Sequence, residues 1–143
     1  MEHASGKEKP PARIVATWAG DQRFDSGLPD RETFRTDGRR EAGPSPVDAL
    51  LCALASCAGI DVADILAKRR TPVEAMSIEA IGDRATTVPS RVTKIVLAFK
   101  IRGAGIERVH AERAIELAVN KYCSVRDTLD PNMPVSWTLD LGD

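Results

Sequence analysis

Residues 43–70 read GPSPVDALLCALASCAGIDVADILAKRR, and this stretch decides the fold. Ser45 is suited to cap a helix. Pro46 then falls at the first helical position, where its missing N–H costs nothing. Asp48 stands three residues after the cap, the spacing of a capping box with a shortened acid. From Ala49 to Ala58 almost every side chain is small or apolar, and none is charged. A helix apolar on all sides is a buried helix, so this one is expected to pass through the core with Cys57 in its middle. Asp61 and Asp64 return polarity. Lys68, Arg69 and Arg70 crowd the last turn, where cations suit the helix dipole, and Thr71-Pro72 stops it.

Working outward, residues 13–18 alternate, with Ile14, Ala16 and Trp18 on one side, which predicts a strand. Residues 22–26 and 33–36 read as two further short strands, completing an antiparallel meander before the helix. After it, 75–82 and 92–102 are predicted strands, the second with Ile95, Leu97, Phe99 and Ile101 on one face. Residues 107–122 are predicted helical, because Ala111, Ala114, Ile115, Ala118 and Tyr122 recur at helical spacing. Residues 124–129 add one more turn, stopped by Asp130-Pro131. Residues 135–141 alternate as a closing strand, with Val135, Trp137, Leu139 and Leu141 inward. Three strands, helix, two strands, helix, strand is an α+β order with a mostly antiparallel sheet. It is expected in one domain over residues 13–143, after a disordered N-terminal tail over residues 1–12.

Composition narrows the function classes. A net charge of -1 over 143 residues gives no electrostatic case for nucleic acid or an anionic membrane surface. No apolar run approaches the length of a span without a charge, so no membrane crossing is expected. The polar tail has no signal-peptide core, so a cytoplasmic location is expected. Cys52, Cys57 and Cys123 are an odd, small set, which fits buried thiols or redox chemistry rather than a disulfide framework. There is no C-x-x-C, and His3 and His110 are not clustered, so neither a metal nor a cofactor is expected. A Ser-His-Asp triad would need His110 as its base, and nothing around it suggests that.

Cys57 and Cys123 lie 66 residues apart, each on or at the end of a predicted helix. A buried cysteine is commonly a small hydrophobe and nothing more. A cysteine that reduces peroxide must be a thiolate and needs a second thiol to trap its sulfenic acid. Arg39 and Arg40, just before the helix, are candidate cations, and Asp48 could clamp one of them. The plainer alternatives are solvated loop charges and a helix-start acid. Cys52 points about 140° away from Cys57 on the helix. It is expected in the core, outside the chemistry.

These residues carry a resemblance. GPSPVDALLCALASC followed by GIDVADILAKRR resembles the central-helix signature of the OsmC/Ohr family, the osmotically inducible and organic-hydroperoxide-resistance proteins. ERAIELAVNKYCSV resembles that family's second cysteine segment, and RGAGIERVHAERA and VSWTLDL also match. The resemblance runs from about residue 13 to 143, and KYCSV marks the OsmC-like branch. It implies an α+β fold built as an intertwined homodimer, with the central helices buried together and the sites at the subunit interface. It implies a thiol-dependent peroxidase acting on an organic hydroperoxide, with Cys57 as the peroxidatic and Cys123 as the resolving cysteine, and an external dithiol reductant. The family adds an arginine and a glutamate to hold the thiolate. Where the Ohr branch has Asn-Pro-Glu, this chain has Ser45-Pro46-Val47, which moves the acid to Asp48. Arg39 and Arg40 fit the arginine of one branch, and Arg23 that of another. The alternative is a non-catalytic small-molecule-binding protein on the same fold, with both cysteines inert.

Overall fold

In the computed structural model, which describes residues 7–142, the chain divides into two units, one ending at Leu50 and one beginning at Leu51. Of the expected tail, residues 7–12 are exposed and form no helix or strand; residues 1–6 lie outside the described residues.

The first unit holds the antiparallel meander of β1 (Val15–Trp18), β2 (Arg23–Gly27) and β3 (Phe34–Asp37), as the alternation predicts. Gly20, at φ +95, turns β1 into β2 in a conformation closed to most residues. Pairing of Trp18 with Phe24, and of Ser26 with Phe34, puts three aromatic rings on one face. On the opposite face Arg35 grips Asp25 through two hydrogen bonds of 2.8 and 3.0 Å. Asp37, at the end of β3, is 2% exposed. It accepts the Arg39 and Ala42 backbone N–H groups, each at 2.9 Å, and Arg23 Nε at 3.5 Å. Those two backbone donors, ahead of Arg23, hold its carboxyl below the usual range. The loop leading to the central helix is thereby fixed at its base.

The helix α1 (Pro46–Lys68) starts in the first unit and continues in the second. In the second unit β4 (Ala75–Arg84) pairs antiparallel with β5 (Val92–Arg102), and β5 pairs parallel with β6 (Val135–Leu141). A parallel neighbour demands a crossover. Here it is α2 (Arg108–Leu117), a π-helical segment (Ala118–Tyr122) and α3 (Ser124–Thr128). The register aligns Ile95, Leu97, Phe99 and Ile101 with Val135, Trp137, Leu139 and Leu141, making one apolar face. Leu54, Ala58, Val62 and Leu66 of α1 join these residues in one core. A Cβ at Gly59 would stand 3.0 Å from the Ile78 side chain, so glycine lets α1 lie close to β4.

Three expectations change. The apolar helix is not buried on all sides within the chain: Leu50 is 40% and Ile60 63% exposed, because one three-stranded sheet covers only one side of it. By length and composition α1 would also qualify as a membrane span, a property that core helices share. Cys52 is exposed, not in the core, since its direction on the helix falls on that uncovered side. The predicted helix over 107–122 does form, but its last turn is a π-turn: the Cys123 N–H bonds Ala118 O at 2.9 Å, five residues back.

Candidate active site

The second unit brings Cys57 and Cys123 together. Both thiols are free, and Cys57 stands close enough to Cys123 to raise the point at which Cys123 ionises. Cys57 is half-buried on α1, while Cys123 is 3% exposed and forms part of the core. Two features set Cys123 in place. The π-turn adds a residue to the last turn of the α2 run and so re-aims Cys123 and the start of α3. Asn120 in that turn donates to Glu116 Oε1 at 2.7 Å, and Trp137 Nε1 of β6 donates to Glu116 Oε2 at 3.0 Å. The segment is thus tied to the sheet.

Cys123 also caps α3: its Sγ accepts the Arg126 N–H at 3.3 Å. Arg126 in turn donates to Asp130 O at 2.9 Å and Met133 O at 2.8 Å, closing the loop into β6. Burial pushes the Cys123 thiol up to about 11, the Arg126 N–H opposes this, and the neighbouring Cys57 thiol pushes it further up. Cys123 is therefore a protonated thiol near neutral pH, and the half-buried Cys57 is the more accessible of the two.

The first unit brings Arg40 and Asp48 together. Arg40 donates to both Asp48 oxygens at 2.7 Å, a two-pronged ion pair. Asp48 also accepts the Ser45 N–H at 2.9 Å, and Ser45 Oγ accepts the Asp48 N–H at 3.1 Å, which is the reciprocal cap that the sequence predicts. Arg40, and then the Ser45 N–H, lower the Asp48 carboxyl to about 2. Arg40 itself sits at φ +57, a left-handed conformation. The Arg39 guanidinium makes no hydrogen bond or ion pair among the described residues, and only its backbone N–H is engaged. Arg23 pairs with Asp37. Among the described residues no group of three or more His, Cys, Asp and Glu could hold a metal.

The pH dependence of the Asp48 interaction has a definite sign. A carboxyl lowered from 3.8 to about 2 stabilises the fold above 3.8, and that stability is lost as pH falls through about 2. Asp48→Ala is expected to cost about 1 kcal/mol at neutral pH, the usual cost of losing a helix-start interaction. The gap to the wild type should close over that acid window, as followed by thermal melting.

Asp61 escaped the sequence reading as more than a returning polar residue. It lies one turn beyond Cys57 on α1 and is 6% exposed. No hydrogen bond or ion pair reaches its carboxyl among the described residues. Burial, with Asp64 next, raises it above the usual range. A raised acid costs nothing well below 3.8, destabilises increasingly as pH rises from 3.8 to its folded value, and holds that full cost above it. Asp61→Asn should therefore melt higher than the wild type at pH 7. The gain should vanish near pH 3. An unchanged or lower melting point at pH 7 would show that the carboxylate is compensated.

Known proteins share the fold and much of the sequence pattern. The sequence profile described as "OsmC-like protein" matches residues 37–138. Protein YhfA of Escherichia coli K12 is 30% identical over 101 residues, 71% of this chain and 75% of YhfA. An OsmC-like protein from Mycoplasma pneumoniae superposes with TM-score 0.81 at 17% identity, covering 95% of this chain and all (100%) of that one. The organic hydroperoxide resistance protein OhrB of Bacillus subtilis superposes with TM-score 0.59 at 16% identity, covering 92% and 98%. The α+β fold thus recurs under a matching sequence profile, and this chain belongs to the OsmC-like protein family.

Proposed function

We propose that the protein is a thiol-dependent peroxidase that reduces organic hydroperoxides. The observation that carries this reading is the juxtaposition of two unbridged thiols, one half-buried and one buried, brought together across 66 residues. The Cys57 thiolate attacks the terminal oxygen of R–O–OH. The O–O bond breaks, Cys57 becomes a sulfenic acid, and the departing alkoxide takes a proton to become an alcohol. The Cys123 thiol then condenses with the sulfenic acid, giving a Cys57–Cys123 disulfide and water. An external dithiol returns both to thiols, a cycle suited to the reducing cytoplasm. The name of the Bacillus OhrB structure supports the substrate class. The apolar surroundings of α1 favour an organic over an inorganic peroxide.

Of the candidate arginines we choose Arg40 for the chemistry, on its pairing with Asp48 alone. Asp48 fixes its guanidinium in a two-pronged pair, whereas Arg23 is engaged by Asp37 and the Arg39 guanidinium has no partner among the described residues. The Asp48→Ala variant tests this role as well. Loss of turnover together with the melting loss fits both roles, whereas a melting loss with full turnover would remove Asp48 from the chemistry.

The same reading includes a homodimer. In the first unit Trp18 is 65%, Phe24 40% and Phe34 55% exposed on one sheet face. In the second, Cys52, Ser56, Ile60, Met76 and Ile78 line an open apolar groove of about 510 Å³ beside α1. Soluble monomers rarely leave such surfaces in water, and a second copy supplies the same apolar groups to cover them. Sedimentation at micromolar concentration should give a dimer, and Ile60→Glu should weaken it. A stable, folded wild-type monomer would refute the assembly. The groove also suits the second reading, a small-molecule-binding protein with inert cysteines, and the Cys57 variant discussed below separates the two.

A further inference from the structure

A cavity of about 210 Å³ opens beside α3, walled by Val119, Asn120, Cys123, Arg126, Asp127, Leu129 and Pro131. It touches Cys123 and does not include Cys57. We infer that this cavity is the docking site of a small dithiol reductant, which attacks Cys123 Sγ and expels Cys57. The proposal rests on the Cys57–Cys123 disulfide of the reading above and adds where and how that disulfide is opened.

Three arguments carry it. Thiolate attack on a disulfide runs in line with the S–S bond, so a nucleophile aimed at Cys123 must approach it from the side away from Cys57. The cavity reaches Cys123 without Cys57. Second, the thiol with the lower pKa leaves faster. Cys123, held up by burial, makes a poor departing group, which disfavours attack at Cys57. Third, the wall is mostly polar, with Asn120, Arg126 and Asp127 beside the apolar Val119, Leu129 and Pro131, which suits a short dithiol carrying polar groups. The volume admits a small molecule but not a folded protein.

The step balances. A thiolate of the dithiol bonds Cys123 Sγ, the Cys57–Cys123 bond breaks, and its electron pair leaves on Cys57 as thiolate. The second thiol of the reductant then attacks its own sulfur in the mixed disulfide, closing a cyclic disulfide. Cys123 is released as a thiolate and takes up the proton that the second thiol gives up. The dithiol is oxidised by two electrons, and the protein disulfide is reduced by two.

The test prepares the disulfide form with diamide, so that it does not depend on peroxide. Brief exposure to the monothiol 2-mercaptoethanol, acid quench and peptide mass mapping should place the mixed disulfide on Cys123. Adduct on Cys57 overturns the proposal. Asp127→Trp, which fills the mouth from an exposed position on the same wall, should slow reduction by dithiothreitol about tenfold or more while oxidation by one equivalent of cumene hydroperoxide stays within about twofold. Pro131→Trp, also on that wall, serves if the first variant does not fold. Reduction of a folded variant at the wild-type rate overturns the site, as does a wild type that forms no disulfide with diamide. If diamide gives the disulfide and the adduct maps to Cys123, but hydroperoxide oxidises nothing, the docking site stands and the peroxidase reading falls.

Discussion

Cys57→Ser is expected to reduce consumption of cumene hydroperoxide to the rate of the uncatalysed reaction. A serine hydroxyl is barely ionised near neutral pH and cannot form a sulfenic acid, so no residual turnover should survive at this position. The paired wild-type measurement is intact mass after one equivalent of hydroperoxide, which should show a loss of two hydrogens as the disulfide closes. In Cys57→Ser that loss should be absent. Cys52→Ser should turn over as the wild type does, because Cys52 is exposed and points away from the thiol pair. If the wild type shows no mass change with excess hydroperoxide, the peroxidase reading is wrong and the binding protein with inert cysteines takes its place. The Cys57→Ser variant should also retain the wild-type melting point closely, since serine and cysteine differ little in volume and Cys57 is only half-buried. A large melting loss would mark Cys57 as a core residue first.

Much of the molecule was legible because its signals are local. The strand over residues 92–102 and the closing strand over 135–141 agree with the alternation, since period-two burial needs only the sheet that the strand itself joins. The Ser45–Asp48 cap was readable because a capping box is a four-residue device. The clamp of Asp48 on an arginine was readable as a possibility, but the choice of Arg40 over Arg39 was not. It depends on a left-handed backbone at Arg40, which no propensity announces in an arginine.

Other features depended on tertiary context. All-round apolarity in α1 says that every face needs cover, but not whether that cover comes from this chain. Hence Cys52 and Ile60 are exposed where burial was expected. The π-turn before Cys123 keeps helical spacing through Tyr122, so periodicity cannot distinguish it from an α-turn. Asp37 gave a weak signal, an Asp-Gly turn, while its burial and its three donors come from the loop folding back. The parallel pairing of β6 was hidden because alternation along a strand does not report its direction.

Cys123→Ser should behave unlike Cys57→Ser. The attacking thiolate remains, so the first equivalent of hydroperoxide is reduced at the wild-type rate. The sulfenic acid then has no neighbouring thiol to condense with. Under excess peroxide it climbs to the sulfinic state, which an external dithiol does not reverse. The expected record is a single stoichiometric burst followed by inactivity, with intact mass rising by one oxygen and then by two. The same competition operates in the wild type. Only the thiolate of Cys123 condenses, and burial keeps that thiol protonated up to about 11. Below that value each unit of pH raises its thiolate fraction about tenfold, so resolution should quicken steeply from pH 6 to pH 9. At a fixed excess of hydroperoxide the sulfinic fraction of the wild type should therefore fall as pH rises, whereas in Cys123→Ser it should not fall. Sustained turnover by Cys123→Ser with the small dithiol would show that Cys123 is not the resolving thiol. A wild-type sulfinic fraction that rises with pH would show that its proton does not govern the step.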